Sequence, residues 1–207
     1  MVDTDRRPIA ARRARWTKGL LRWLLATRVT PNQISVLSVV FAGLGAWALI
    51  EAPTRPWLFL AAAILVQLRL VCNLMDGLVA VEGGRASKVG PLFNEFPDRI
   101  ADSLLIVALG YAAGEAWLGW AGALAAALTA YIRVSGAALG LGHDFRGPMA
   151  KQHRMAVMTL ACLLAPVEAW WRADYALEAA LWIILVGSVL TCIIRALAIA
   201  ALLEDRP

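Results

Sequence analysis

Thiols and imidazoles are scarce in this chain, with three cysteines and two histidines among 207 residues. Cys72, Cys162 and Cys192 are scattered through apolar runs without the short spacings of a metal or redox centre, so they read as small core residues. Their spacing gives no sign of a thiolate metal site, and the redox compartment is left open. His143 and His153 stand ten residues apart beside one apolar stretch and are assigned no catalysis. Charge is thin too, at 17% of residues, and absent altogether from residues 29–50. No repeat or low-complexity segment occurs. A cleaved leader peptide is not expected, because the apolar run beginning at Val29 is too long for one and lacks a convincing cleavage site.

Apolar surface, by contrast, is abundant. Hydrophobic residues make up 60% of the chain, against about 45–50% in a soluble domain, and mean hydropathy is +0.66. The reading is an all-α integral membrane protein. Residues 29–50 are long enough for a first span at about 20 residues per crossing. Further apolar stretches at about 56–80, 97–114, 117–140, 153–171 and 178–201 bring the total to six transmembrane helices. Between Ala14 and Thr27, Trp16, Leu20, Trp23 and Leu24 interleave with Arg and Lys, the pattern of an amphipathic helix lying on the membrane surface. The chain thus divides into residues 1–28, a basic arm with this juxtamembrane helix, and residues 29–207, the six-helix unit. Tryptophans near the span ends, including Trp57, Trp117, Trp120, Trp170 and Trp171, suit interfacial anchoring.

The net charge of +5 is concentrated at the amino-terminal end. Arg6, Arg7, Arg12, Arg13, Arg15, Lys18, Arg22 and Arg28 are opposed there only by Asp3 and Asp5. Beside a span, such an arm points to topology signalling and anionic lipid headgroups, not to nucleic acid. The later loops alternate in sign. Arg85 and Lys88 mark residues 81–96, and Arg146 and Lys151 mark residues 141–152. Glu51 with Arg55, Glu115, and Glu168, Arg172, Asp174 and Glu178 mark the other side. Positive-inside bias therefore puts both termini in the cytoplasm, with the plasma membrane as the expected location in a bacterium. Arg69, Asp76, Asp98, Asp102, Arg133, Arg154 and Arg195 then all fall in the cytoplasmic half of their spans. That suits a water-accessible cavity open to the cytoplasm and disfavours an ion pathway across the bilayer.

A charge at mid-bilayer costs about 2.5–3.5 kcal/mol on insertion scales, so Asp76, Asp98, Asp102 and Arg69 together require about 10 kcal/mol of compensation. Metal ions, an anionic ligand or escape to the interface could supply it. Arg69, Asn73 and Asp76 are spaced i, i+4, i+7, and Asn94, Asp98 and Asp102 are spaced i, i+4, i+8, so each set shares one helix face. Two such helices facing each other would offer oxygen ligands to a hard divalent cation completed by phosphates. Gly77, Gly83, Gly84 and Gly90 between them permit close backbone approach. On spacing alone, a polar network that merely holds the bundle together remains the alternative.

The same residues resemble the CDP-alcohol phosphatidyltransferase family, whose pattern is D-x2-D-G-x2-A-R-x8-G-x3-D-x3-D. Asn73, Asp76, Gly77, Ala80, Val81, Gly90, Asn94 and Asp98 stand at its spacings without a gap, and five of the eight match in identity. VTPNQISVLS, residues 29–38, is similar to the start of the family's first span, and six spans after a surface helix match its architecture. The resemblance implies transfer of a phosphatidyl or related phosphoryl group from a CDP-linked lipid to an alcohol, with release of CMP and with Mg²⁺ or Mn²⁺ bound. It implies Asp98 as the base that takes the acceptor's proton, and Asn73, Asp76, Asn94 and Asp98 at the metal. Gly77, Ala80 and Gly90 would then lie along the CDP moiety. Members are often homodimers, though no stretch of this sequence marks an interface.

Three positions depart from the pattern. Asn73 and Asn94 replace aspartates and Val81 replaces the arginine. Two lost negative charges favour a single tightly held ion or weaker metal binding. Asp102, one turn beyond Asp98 on the same face, is the best replacement ligand; Glu95 is rotated by about 100° from Asn94 and is a worse one. Arg85 is the nearest stand-in for the missing arginine at the CDP moiety, with a solvated loop charge as the alternative reading. Arg133, Lys151 and Arg154 lie toward the cytoplasmic mouth, where they would hold the phosphate of a phosphorylated acceptor. A catalytically inactive relative that binds nucleotide or lipid is the competing reading.

Overall fold

A computed structural model of the protein describes residues 14–168, 171, 173 and 175–205. The charged arm before position 14 lies outside the described residues, as do Trp170, Arg172 and Asp174. Seven helices and no strand are found among the described residues. They are α1 (Arg15–Ala26), α2 (Pro31–Glu51), α3 (Trp57–Glu82), α4 (Gly90–Ala112), α5 (Ala116–Ala138), α6 (Lys151–Glu168) and α7 (Tyr175–Glu204).

Local chemistry sets several boundaries. Thr30 accepts from the Gln33 backbone N–H while the Gln33 side chain accepts from the Thr30 N–H, and Pro31 opens α2 where no N–H is needed. Proline in the first turn likewise starts α4 at Gly90–Pro91, earlier than the apolar run from residue 97 suggests. Asn94 is therefore helical and lies one turn before Asp98. Gly114, at a φ of 73°, turns the chain between α4 and α5. Those two helices pack at backbone distance, since a Cβ on Gly110 would come within 2.6 Å of the Gly119 Cα.

The helices α2, α3, α6, α7, α5 and α4 pack in a closed ring in that order, and α4 also touches α7. Leu49, Leu58, Val66, Leu105, Ile106, Met155, Met158 and Leu181 fill the centre. The outward faces are apolar, as at Val40, Leu44 and Trp47 on α2 and Ile183, Val186 and Leu190 on α7. This is the surface of an integral membrane protein, and α2, α3, α5 and α7 are long and apolar enough to cross a bilayer. The other two long helices, α4 and α6, are less apolar because they carry Glu95, Asp98, Arg99 and Asp102, and Lys151, Arg154 and Glu168.

Outside the ring, α1 packs on α3. Thr17, Leu21 and Leu24 face inward, and the two leucines pack with Cys72, Met75, Leu78 and Val79. Trp23 is exposed and Trp16 half-exposed, the latter bordering a cleft between α1, α3 and α6. The apolar stripe read from the sequence is thus divided between two faces.

Candidate active site

The polar faces of α3 and α4 meet at the end of the bundle where α6 begins, and they pair in a definite order. Asn73 Nδ2 donates to Asp98 Oδ1 at 2.7 Å. Arg69 Nη2 donates to the same oxygen at 3.4 Å and also to Asp102 Oδ1. The second oxygen of Asp102 accepts from Arg154 Nη2 at 2.7 Å, while Arg154 Nη1 donates to the Met149 carbonyl at 3.2 Å. Lys151 Nζ pairs with Asp98 Oδ2. Arg69, Asp102 and Arg154 are almost wholly buried. Compensation for buried charge therefore comes from the protein's own cations, a source that spacing along one helix does not display.

Asp76 sits on the α2 side of this network. Its Oδ2 accepts from Ser35 Oγ at 2.7 Å and its Oδ1 from the Gly77 N–H at 2.6 Å. Asn94 is exposed at the start of α4. A Cβ built on Gly77 would meet no atom within 4 Å, so the α3 backbone there borders open space. Ala80 and Gly90 are half-buried at the facing ends of α3 and α4. Arg85, in the connection between them, donates instead to the carbonyls of Leu25, Thr27 and Val29, each at 3.0 Å.

Arg133 on α5 donates to Glu95 Oε1 at 2.6 Å, with its guanidinium carbon 5.7 Å from the centre of the Phe145 ring. Glu95 thus reaches α5 with one oxygen, while its Oε2 and Asp98 Oδ2 face the same Arg99 nitrogen at 3.4 and 3.9 Å. In the loop after α5, partial burial works against ionisation of Asp144, but hydrogen bonds from Arg146 outweigh it and hold that carboxyl below the usual range. Arg195 on α7 ties this loop down by donating to the carbonyls of Arg146 at 2.8 Å and Thr129 at 2.6 Å. A cleft of about 220 Å³ opens beside the network, between α1, α3 and α6, lined by Trp16, Gln67, Leu70, Asn73, Lys151 and Gln152 among others.

The motif halves on α3 and α4 are thus joined by a hydrogen bond beside this cleft. The sequence profile of the CDP-alcohol phosphatidyltransferase family matches residues 28–202. The chain belongs to that family. It is 30% identical over 183 residues to a phosphatidylinositol phosphate synthase of Corynebacterium glutamicum, covering 83% of this chain and 78% of the relative. It is 37% identical over 147 residues to the bifunctional IPC transferase and DIPP synthase of Rubrobacter xylanophilus, covering 68% of this chain. That match spans only 33% of the bifunctional protein. The fold is similar to that of the Mycobacterium tuberculosis phosphatidylinositol phosphate synthase. Its crystal structure with CDP-DAG bound has a TM-score of 0.74 and 22% identity, covering 90% of this chain and 94% of that one. Its structure with manganese and citrate also gives a TM-score of 0.74, at 21% identity and 88% coverage of both chains.

Seen as a CDP-alcohol phosphatidyltransferase, the chain has neutral amides where two carboxylates of the pattern would stand. Among the described residues no three His, Cys, Asp or Glu side chains converge as a metal-binding group. The donors present are all oxygen: the carboxylates of Asp76 and Asp98 and the amide carbonyls of Asn73 and Asn94. That set suits a hard divalent cation once Lys151 releases Asp98 Oδ2, and its two charges match one such ion better than two. Both oxygens of Asp102 are taken by arginines. Ser35, Arg69 as a clamp on two aspartates, and Glu95 as the partner of Arg133 were not legible as site residues from the sequence.

Proposed function

We propose that this membrane transferase moves a phosphatidyl group from a CDP-linked lipid such as CDP-diacylglycerol to the hydroxyl of a phosphorylated polyol of the inositol phosphate type. The observation that carries the reading is the Asn73–Asp98 hydrogen bond, which joins the two halves of the motif beside the cleft. The relatives, phosphatidylinositol phosphate synthases among them, support the acceptor class. The topology that accompanies it is six crossings, with α4 and α6 spanning despite their charges. In it α1 lies at the membrane surface and both termini and the cleft face the cytoplasm.

In the reaction, the acceptor's hydroxyl oxygen forms a bond to the lipid-bearing phosphorus of the donor. The bond from that phosphorus to the CMP oxygen breaks, and CMP leaves with the electron pair. Asp98 takes the hydroxyl proton. A Mg²⁺ or Mn²⁺ held by Asn73, Asp76, Asn94 and Asp98 would supply neutralisation of the diphosphate and of the departing CMP. Ser35 fixes the Asp76 carboxylate from α2. The open space beside Gly77, continued past Ala80 and Gly90, admits the CDP moiety against the backbone of α3 and α4. Arg133 and Lys151, both partly exposed, hold the acceptor's phosphate, and Lys151 leaves Asp98 to do so. We assign Asp102 and Arg154 to holding the cleft together, because the two oxygens of Asp102 accept from Arg69 and Arg154 and all three side chains are buried.

Purified protein given CDP-diacylglycerol, Mn²⁺ and a panel of alcohols should release CMP, fastest with inositol phosphate. Arg133→Ala should raise KM for the phosphorylated acceptor by about tenfold and leave the donor KM unchanged, consistent with loss of one charge-assisted contact. Donor binding without CMP release for any acceptor would overturn the assignment and identify an inactive relative.

The amides also make a prediction. Restoring carboxylates with Asn73→Asp and Asn94→Asp should tighten Mn²⁺ binding by roughly tenfold or more, as added charge at a few ångströms implies. In the metal-free protein Asn73→Asp would set a carboxylate against Asp98 Oδ1 and remove a donor, so its thermal stability should fall without Mn²⁺ and recover with it. Unchanged affinity in a Mn²⁺ titration of both variants would remove these positions from the metal site.

A further inference from the structure

The C-terminal end of α1 is fastened to the connection between α3 and α4 in a way the chemistry above does not use. A helix leaves its last carbonyls unpaired, and a cation there also complements the helix dipole. Arg85 fills that role as a fork: Nη2 donates to Leu25 O, and Nη1 donates to both Thr27 O and Val29 O. The junction is close as well as bonded. A Cβ on Gly83 would lie 2.6 Å from Leu25 Cδ2, so the Leu25 side chain of α1 packs directly on the end of α3, where the Val79 carbonyl of α3 itself, 2.4 Å away, favours glycine. At the other end of α1, Trp16 forms with Leu70, Val71 and Leu74 an apolar wall suited to the acyl chains of a lipid donor, in the cleft that also contains Asn73 and Lys151. Along its inner face Leu21 and Leu24 are buried with Met75, Leu78 and Val79 of α3. A helix of 12 residues held at one end and packed along one face moves as a unit, so the clasp decides where Trp16 stands.

We infer that Arg85 is a positioning residue for the lipid donor, acting through α1: its clasp on Leu25, Thr27 and Val29 holds Trp16 at the wall of the cleft. The inference rests on the transferase reading but is tested separately from it. Arg85 stands four residues after Val81, the position where the family pattern carries its arginine, and the clasp gives this basic side chain a use that needs no contact with CDP.

The experiment compares wild type, Arg85→Gln, Arg85→Lys and Trp16→Ala in the same detergent, by steady-state kinetics and by amide hydrogen exchange without substrate. Arg85→Gln is expected to raise KM for CDP-diacylglycerol about tenfold with kcat and the acceptor KM within about twofold, and to speed exchange in α1 alone by about tenfold. Trp16→Ala should reproduce the donor KM with α1 exchange unchanged. Lysine, which cannot span the carbonyls as a fork, should restore less than half of the loss. The inference is overturned if Arg85→Gln leaves α1 exchange unchanged, if α1 loosens while the donor KM stays put, if Trp16→Ala has a normal donor KM, or if lysine restores it fully. An inactive wild type would instead defeat the transferase reading, while the exchange arm would still decide whether Arg85 holds α1.

Discussion

Asp98→Asn should lower CMP release by about a thousandfold while leaving the protein folded. Loss of a general base alone costs about 10²–10⁴ in rate, and the same change removes a charge from the oxygen set offered to the cation. Structural cost should be small for geometric reasons. An asparagine oxygen can still accept from Asn73 Nδ2, Arg69 keeps its bond to Asp102, and Lys151 is partly exposed and can turn to water. The check is single-turnover CMP release at saturating donor and acceptor, alongside thermal unfolding in the same detergent. Residual activity within tenfold of wild type would remove Asp98 as the base. A collapse of thermal stability would mean that its ion pairs, not its chemistry, were lost.

The helices were largely legible because bilayer length and apolar composition leave few alternatives, and the shared faces of α3 and α4 followed from helical spacing. The start of α4 was misplaced for an instructive reason. Composition began the apolar run only at residue 97, although the shared face of Asn94, Asp98 and Asp102 already implied helix from Asn94; in the fold Glu95 and Asp98 find partners on α5, α3 and α6. Periodicity reports a face and says nothing of its partner. Asp102 looked like a metal ligand because it continues the face of Asp98. Its partners, Arg69 and Arg154, lie 33 and 52 residues away on other helices. Ser35 lay within a segment already noted for its resemblance, but its bond to Asp76 depends on how α2 crosses α3. Arg85 could not have been placed by pattern at all, since its partners are backbone carbonyls.

Asp102→Asn, one turn from Asp98, should have the opposite outcome, destabilising the protein by about 3–5 kcal/mol, the usual cost of breaking a buried ion pair by removing one partner. Arg69 and Arg154 are fully buried, and Asp102 is the carboxylate they share. Among the described residues Arg69 Nε, Arg69 Nη1 and Arg154 Nε already lack hydrogen-bond partners, so the network has no spare acceptor to take up the loss. At about 2–4 °C per kcal/mol for a chain of this size, the midpoint of thermal unfolding should fall by on the order of 10 °C. A fall of less than about 2 °C would show that the guanidiniums find water or another anion, and the clamp would lose its structural role. Replacing the whole triad with apolar residues, as Arg69→Met, Asp102→Leu and Arg154→Met together, should recover most of that loss, because desolvation and attraction vanish at once. Activity should not recover with it. Asp98 would keep Asn73 and Lys151 but lose the Arg69 contact on Oδ1, so its carboxylate would be held from fewer sides. Stability regained without turnover would separate the two carboxylates by role, Asp98 for the reaction and Asp102 for the frame that aims it.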